Sequence, residues 1–236
     1  QVMSGYLEMI TGTPDKELAP DSFVRRAATQ AQSAANKAAV LTQQLLAFSR
    51  RQKLEGRTVN LNSLVSSTVE LAAQRVGADV ELKMDLAPGL WNCRIDTTQA
   101  EVAILNLVIN ARDALKGRPD QRVLLTTRNV EVSKAAAVNE LDHLPAGRLV
   151  CISVQDNGSG MSPDIVRRVM DPFFTTKEEG EGTGLGLSMV YGFVKQSGGT
   201  VRIASEPGAG TTVSLYFPAT TDALTKDAAP SNMAMD

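Results

Sequence analysis

What this sequence has little of removes several function classes before any motif is read. It holds two cysteines, Cys93 and Cys151, far apart and in no metal-ligand spacing. That argues against a thiolate zinc site or a disulfide framework, and two buried thiols in a reducing compartment are expected. A surplus of one charge is missing too: 24 Lys and Arg face 26 Asp and Glu, for a formal charge of -2, which gives no electrostatic reason for nucleic acid as the partner. Arg50, Arg51 and Lys53, the nearest thing to a basic cluster, read as a solvated helix end. No apolar run approaches the roughly twenty residues that cross a bilayer and no signal peptide opens the chain, so a soluble, cytoplasmic segment is expected. There is no G-x-x-x-x-G-K-[ST], hence no P-loop, and no G-x-G-x-x-G follows a strand in a βαβ unit, hence no Rossmann site. Histidine occurs once, as His143 in ELDHLPAG, and reads as an exposed loop residue without a catalytic role. The opening QVMSGYLEMI lacks an initiator Met and starts in mid-pattern, so a piece of something longer is expected.

What is present is enough for a real core. At 236 residues and 43% hydrophobic, one or two domains are expected. Residues 1–12 place Val2, Met3, Tyr6, Leu7, Met9 and Ile10 at helical spacing, and Thr13, Pro14 and Asp15 break the pattern. Residues 21–52 contain no Gly or Pro and open on the capping candidates Asp21 and Ser22, which predicts one helix about 50 Å long. Its seam, Phe23, Ala27, Ala31, Ala34, Ala38, Leu41, Leu45 and Phe48, is heptad-like. A two-helix hairpin cannot cover both of its faces. Periodicity leaves open whether it dimerises as a four-helix bundle or packs on its own globular domain.

From residue 57 the pattern is mixed. Strands are expected at 58–60, 80–86, 91–95, 122–132, 149–155, 200–205 and 211–217, and helices at 61–76, 97–116 and 188–196. In the first of these helices Leu61, Leu64, Val65, Val69 and Leu71 are expected to point inward. The strand at 91–95 is expected to fold back antiparallel on 80–86 across Pro88 and Gly89. A polar excursion occupies 133–146. This order predicts an α+β sandwich with helices on one face of a mixed sheet. Residues 219–236 have little to bury and read as a linker or tail.

Within the helix EVAILNLVINARDALK, Asn106, Asn110 and Asp113 fall at i, i+4 and i+7 and line one side. Burying them without partners would cost a few kcal/mol, of order 1–3 kcal/mol per group. A ligand or cation would remove that cost, and so would a polar network capping the sheet edge. Carboxamide and carboxylate oxygens suit Mg2+, which usually bridges to substrate phosphates. Asp156 follows the strand CISVQ and precedes NGSG, so an acceptor stands at a strand end where backbone can approach a flat ligand. Gly180, Gly182, Gly184 and Gly186 alternate just before a helix, a placement that favours phosphate at its N-terminus.

In order and spacing these elements resemble the sensor histidine kinases. NLVINARDAL is similar to the N box of their Bergerat-fold ATP domain, DNGSGM to the G1 box, DPFFTTK to the F box, GTGLGLS to the G2 box and GAGTTVSLYF to the last box. The likeness covers about 58–218. The stretch QLLAFSRRQ resembles the end of the dimerisation helices in the class whose phosphoacceptor box reads H-D-F-N-N.

The resemblance implies a two-layer α/β sandwich over 57–218, preceded over 1–56 by a helical hairpin that dimerises as a four-helix bundle. It implies ATP and Mg2+ as cofactors, a homodimer, and a response-regulator receiver domain as partner, to which the tail could link as in hybrid kinases. It gives Asn110 the metal, with Asn106 supporting the metal or its water, and gives Asp156 the adenine amino group. Gly158 and Gly160 let the loop pass the base, and Lys177 reaches a phosphate. Gly182, Gly184, Leu185 and Gly186 hinge a lid and meet phosphates, while Thr211 completes the polar network under adenine. The lid would span about 162–184, with Phe173 and Phe174 in it.

Two departures stand out. Asp113 occupies a place where many members carry a Lys, which leaves phosphate neutralisation to Mg2+, Arg112 or Lys177. His143 matches no H-D-F-N-N string, so the acceptor histidine is expected upstream of Gln1 and this segment alone is not expected to phosphorylate itself. The alternatives are a related hydrolase, against which Asn106 stands where such enzymes carry Glu, and a regulatory nucleotide-binding dimerisation module without kinase activity.

Overall fold

The structure, a computed structural model, describes residues 27, 28, 30, 31, 55–77, 79–133, 144–177 and 182–225. The chain divides into two compact units, Gln1–Gln52 and Lys53–Asp236. In the first, Ala27, Ala28, Gln30 and Ala31 are helical, with Ala27 and Ala31 buried and Ala28 and Gln30 exposed. Two seam positions thus lie inside and their off-seam neighbours outside. Residues 1–26, 29 and 32–54 of the expected hairpin, like His143 and residues 226–236, lie outside the described residues.

The second unit is a mixed sheet carrying helices. Its elements are β1 (Arg57–Val59), α1 (Leu61–Val76), β2 (Glu81–Leu86), β3 (Asn92–Ile95), α2 (Thr97–Ala114), β4 (Arg122–Val132), β5 (Gly147–Asp156), α3 (Pro163–Arg168), α4 (Gly186–Gln196), β6 (Thr200–Glu206) and β7 (Gly210–Thr220). The strand order is β1-β3-β7-β5-β4-β2, with β6 also paired to β7. Among the described residues β2 and β4 run parallel and the other pairs are antiparallel.

Alternation sorts the two faces of the sheet. Val150, Ile152 and Val154 of β5, and Val213, Leu215 and Phe217 of β7, enter the same core as Ile104, Leu107 and Val108 of α2 and Val190, Phe193 and Val194 of α4. The Phe193 and Phe217 rings meet at a centroid distance of 5.7 Å in a tilted pair, a favoured aromatic geometry. Because side chains on a strand repeat every second residue, Asp156 and Thr211 continue these two apolar rows on the helix-bearing face. They are also register partners.

Local signals set the helix starts. Asn60 caps α1 by accepting from the Asn62 N–H at 3.0 Å, and Asp96 caps α2 by accepting from Gln99 at 3.0 Å. Both follow the preference for short polar side chains at that position. α2 ends at Ala114, a little short of the expected 116. The unforeseen α3 had a readable signal, Ser162 as cap with Pro163 at the first turn.

Three expectations are corrected. Leu71 is 64% exposed rather than inward. Ala72 lies at the centre of the buried stripe that Leu61, Leu64, Val65, Val69 and Val76 complete, and Leu71, about 100° from it around the helix, falls beyond the edge of that stripe. β3 does not fold back on β2; it pairs with β1 and β7, while β2 lies parallel to β4. The turn between them is held to β4, where the Asn129 carboxamide accepts from Trp91 N–H at 2.9 Å and donates to the Gly89 carbonyl at 3.1 Å. Residues 219–225, expected as linker, are docked. Ala219 and Thr220 pair with Cys93 and Asn92. Thr225 N–H then donates to the Thr58 carbonyl at 3.0 Å, and Thr58 N–H donates to Thr225 Oγ1 at 2.9 Å.

Candidate functional site

Asp156 ends β5 and is buried, at 7% exposure. Its Oδ1 accepts from Gly158 N–H at 2.8 Å and from Thr211 N–H at 3.3 Å. Among the described residues its Oδ2 accepts nothing. Burial pushes this carboxyl above its usual range, and the two backbone donors only partly oppose that. A desolvated carboxylate with one oxygen satisfied and one free is an acceptor waiting for an N–H donor.

The loop after Asp156 is strapped down on both sides. Ser159 N–H donates to the Ala114 carbonyl at the end of α2 at 3.0 Å, and Gly208 N–H in the β6–β7 turn donates to the Ser159 carbonyl at 2.7 Å. Arg118 Nη2 bridges the Gly158 and Gly208 carbonyls at 2.7 and 2.9 Å. Asn157 joins the loop to the start of β4, accepting from Arg122 N–H at 2.9 Å and donating to the Asp120 carbonyl at 2.8 Å. Gly160 has φ +64, and a Cβ there would collide with the Glu206 carbonyl. Gly158 packs directly on the Ala114 carbonyl. Both glycines are therefore required by protein packing, whatever they also do for a ligand. Beside them Thr211 Oγ1 and Ser205 Oγ lie 2.9 Å apart, and Ser205 accepts from Met161 N–H at 2.8 Å.

A second cluster sits on α2. Asn106 and Asn110 are half-buried, and among the described residues neither carboxamide has a hydrogen-bond partner. They face the start of α4: a Cβ on Gly186 would lie 3.6 Å from Asn110 Nδ2 and 4.0 Å from Asn106 Oδ1. Leu185 stands at the cap of α4 and its side chain makes no cap bond, while its own N–H donates to Thr183 Oγ1 at 3.4 Å. Two unpaired amide groups thus meet a helix terminus that favours anions.

Asp113, one turn beyond Asn110, is paired twice. Oδ1 accepts from Arg112 Nε at 3.0 Å and Nη2 at 2.6 Å, and Oδ2 from Lys177 Nζ at 2.5 Å. Burial pushes its carboxyl up, but these two cations outweigh it and hold the pKa below the usual value. Gly182 passes Lys177 closely, since a Cβ there would lie 3.1 Å from its Cδ. Gly184, at φ +65, would bring a Cβ within 2.5 Å of the Phe173 carbonyl oxygen. Phe173 is itself at φ 67 and is 61% exposed. Gly180 lies outside the described residues.

The structure therefore brings the expected residues into two groups. Asp156, Gly158, Gly160 and Thr211 form one, joined through Gly158 to the end of α2. Asn106, Asn110, Asp113, Lys177, Gly182, Gly184, Leu185 and Gly186 gather around α2 and the start of α4. Sequence reasoning missed Arg118, Ser205 and Asn157. Arg118 stands in an unremarkable KGRPD, and Ser205 could have been found only by pairing β6 with β7.

Comparison with known proteins places this arrangement. Residues 95–221 match the family model HATPase_c, described as histidine kinase-, DNA gyrase B- and HSP90-like ATPase. The chain belongs to this family. Membership in an ATPase family implies ATP binding. Among curated HATPase_c relatives, the sensor kinase CckA of Brucella abortus (strain 2308) is 43% identical over 83% of this chain and 20% of its own length. The histidine-protein kinase AtoS of Escherichia coli (strain K12) is 33% identical over 75% of this chain and 26% of its own. The chain thus spans about a fifth to a quarter of these relatives. A structure titled full-length ShkA in complex with AMPPNP aligns at TM-score 0.66 and 24% identity over 94% of this chain and 44% of that one. The catalytic domain of histidine kinase ThkA aligns at 0.56 and 22% over 70% and 96%. These two likenesses establish the fold. Among the described residues no helix is long and apolar enough to cross a membrane, and no three His, Cys, Asp or Glu cluster to hold a metal.

Proposed function

We propose that this chain is the catalytic core of a two-component sensor histidine kinase acting in the cytoplasm as a homodimer. It binds Mg-ATP and transfers the γ-phosphate to a histidine elsewhere in the protein, for relay to an aspartate of a response-regulator receiver domain. The observation that carries this reading is the pair of unpartnered carboxamides, Asn106 and Asn110, facing the uncapped start of α4. Their oxygens are hard donors, and with no carboxylate cage among the described residues they fit a cation that keeps waters and phosphate oxygens for most of its shell. Mg2+, held by Asn110 with Asn106 in support, would neutralise the β- and γ-phosphate oxygens. At the other end, Asp156 Oδ2 accepts from the adenine amino group, with Thr211 in the network beneath the base. Gly182, Gly184, Leu185 and Gly186 lead the chain into α4, whose N–H groups face phosphate.

In the transfer itself an imidazole nitrogen lone pair attacks the γ-phosphorus in line. A P–N bond forms, the bond to the β-bridging oxygen breaks with its electrons leaving on ADP, and the imidazole proton passes to solvent. The chain's share is positioning and charge stabilisation.

The test is titration of wild type and Asn110→Ala with ATP, each with and without Mg2+. Binding should depend on Mg2+ in the wild type and fall by about tenfold or more on substitution, the scale of a lost charged-group contact. Equal affinities in all four titrations would overturn the reading.

A further inference from the structure

A carboxylate beside an anion-binding helix start is an electrostatic oddity. Asp113 lies one turn from Asn110 on α2, with its side chain only 14% exposed, where it would repel a phosphate chain. Its two cationic partners differ in kind. Arg112 is its sequence neighbour on the same helix, while Lys177 arrives from a segment 64 residues away, beside Gly182 and hence next to the chain that leads into α4. Asp113 pairs with both cations at once.

We propose that Asp113 is a positioning residue that stores Lys177, and that the phosphate chain of a bound nucleotide replaces Asp113 as the partner of the Lys177 ammonium. The division of the carboxylate suits an exchange. Oδ2 carries only Lys177, whereas Oδ1 is held by two Arg112 nitrogens. When Lys177 leaves, Arg112 still pairs the carboxylate, so no bare buried charge remains. Lys177 is 31% exposed in its side chain and its charge sits on a flexible four-carbon stem, so it can move to a nearby anion without backbone rearrangement. The ion pair then serves two ends. It keeps the F-box segment on α2 before nucleotide binds, and it sets a competition that a phosphate-bearing ligand can win and adenosine cannot. This inference rests on the nucleotide reading of the site.

The experiment is a set of binding titrations of adenosine and Mg-ATP to wild type, Asp113→Asn, Lys177→Met and the double variant. Asp113→Asn removes the competitor and raises the net charge of the cluster, so Mg-ATP should bind about three- to tenfold tighter, the scale of one partly exposed ion pair. Adenosine affinity should not change. Lys177→Met should weaken Mg-ATP alone, and in its background the gain from Asp113→Asn should vanish. A merely structural staple would shift adenosine and Mg-ATP together. That result, or weaker Mg-ATP binding by Asp113→Asn, or a gain that persists without Lys177, would overturn the exchange while leaving the nucleotide site intact. Failure of the wild type to bind either ligand would instead overturn the site and the exchange with it.

Discussion

Asp156 and Thr211 face each other across the β5–β7 pair, and the Thr211 N–H reaches Asp156 Oδ1 at 3.3 Å while Oδ2 stays free among the described residues. An Asp156→Asn substitution separates fold from function at this contact. The amide oxygen can still accept from Gly158 and Thr211, but the atom in place of Oδ2 becomes a donor and would oppose an adenine amino group. It also removes a charge that burial disfavours. Thermal stability at neutral pH should be unchanged or higher, while ATP affinity falls by about tenfold or more. Differential scanning fluorimetry with and without Mg-ATP reads both effects.

Gly160 and Gly184 have nearly the same dihedral, φ +64 and +65, yet alanine should act differently at each. At Gly160 the new Cβ collides with the Glu206 carbonyl, where the loop is tied to both the β6–β7 turn and α2. Strain and collision together should cost about 3 kcal/mol of unfolding free energy. At Gly184 the collision is with the Phe173 backbone, outside the buried core. Stability should fall by about 1 kcal/mol, with the larger loss in nucleotide affinity. Urea unfolding beside ATP titration distinguishes the two, and equal stability losses would contradict the assignment.

Much of this was legible because local chemistry and tertiary need agreed. The apolar rows of β5 and β7 are plain alternations, and the polar stripe on α2 breaks an otherwise buried helix. β3 was misplaced because VELKMDLAPGLWNCRI reads as a hairpin from propensity alone. What overrides that reading is a set of carboxamides that bind the turn: Asn129 on β4 from both sides, Asn62 at the Ala87 carbonyl and Asn60 at the Leu90 carbonyl. Leu71 is exposed for a geometric reason, since it lies past the edge of the buried stripe centred on Ala72. The Asp113–Lys177 pair joins residues too distant for any periodicity to connect. Thr225 and Thr58 are further apart still, and their contact turned an expected linker into part of the sheet edge.

Deleting residues 219–236 should therefore do more than trim a tail. It removes the Ala219–Cys93 and Thr220–Asn92 pairing and both hydrogen bonds between Thr225 and Thr58, which join the β1–β3 pair to the rest of the sheet on one side and cover β1 on the other. A truncation ending at Pro218 should lose about 1–3 kcal/mol relative to one ending at Thr225 from the two Thr225–Thr58 bonds, at about 0.5–1.5 kcal/mol for each net hydrogen bond removed, and more from the lost strand pairing. Equal chemical-denaturation midpoints for the two would show that the returning strand end adds nothing.

Acid should act on the two carboxylates of the site with opposite sign. Asp113 has its folded pKa below the usual value, so the stability it contributes is fully present above the unfolded value of about 3.9 and is lost as pH falls through the lower folded value. Asp156 has its folded pKa above the usual value. Its contribution is fully present below about 3.9 and is lost as pH rises through the raised value, which makes its ionised form a cost at neutral pH. Asp113→Asn should flatten the acid limb of stability against pH, whereas Asp156→Asn should steepen it by removing the opposing gain. Of the two, Asp156 is the carboxylate whose protonation weakens nucleotide binding, because its ionised form accepts from adenine at Oδ2, whereas protonating Asp113 frees Lys177 for phosphate. Wild-type ATP affinity should therefore begin to fall on acidification above the pH range of an ordinary aspartate, and that limb should be absent from Asp156→Asn. Titrations from pH 7 downward, each paired with a denaturation curve, test both signs. An affinity limb that survives in Asp156→Asn would assign it to another group.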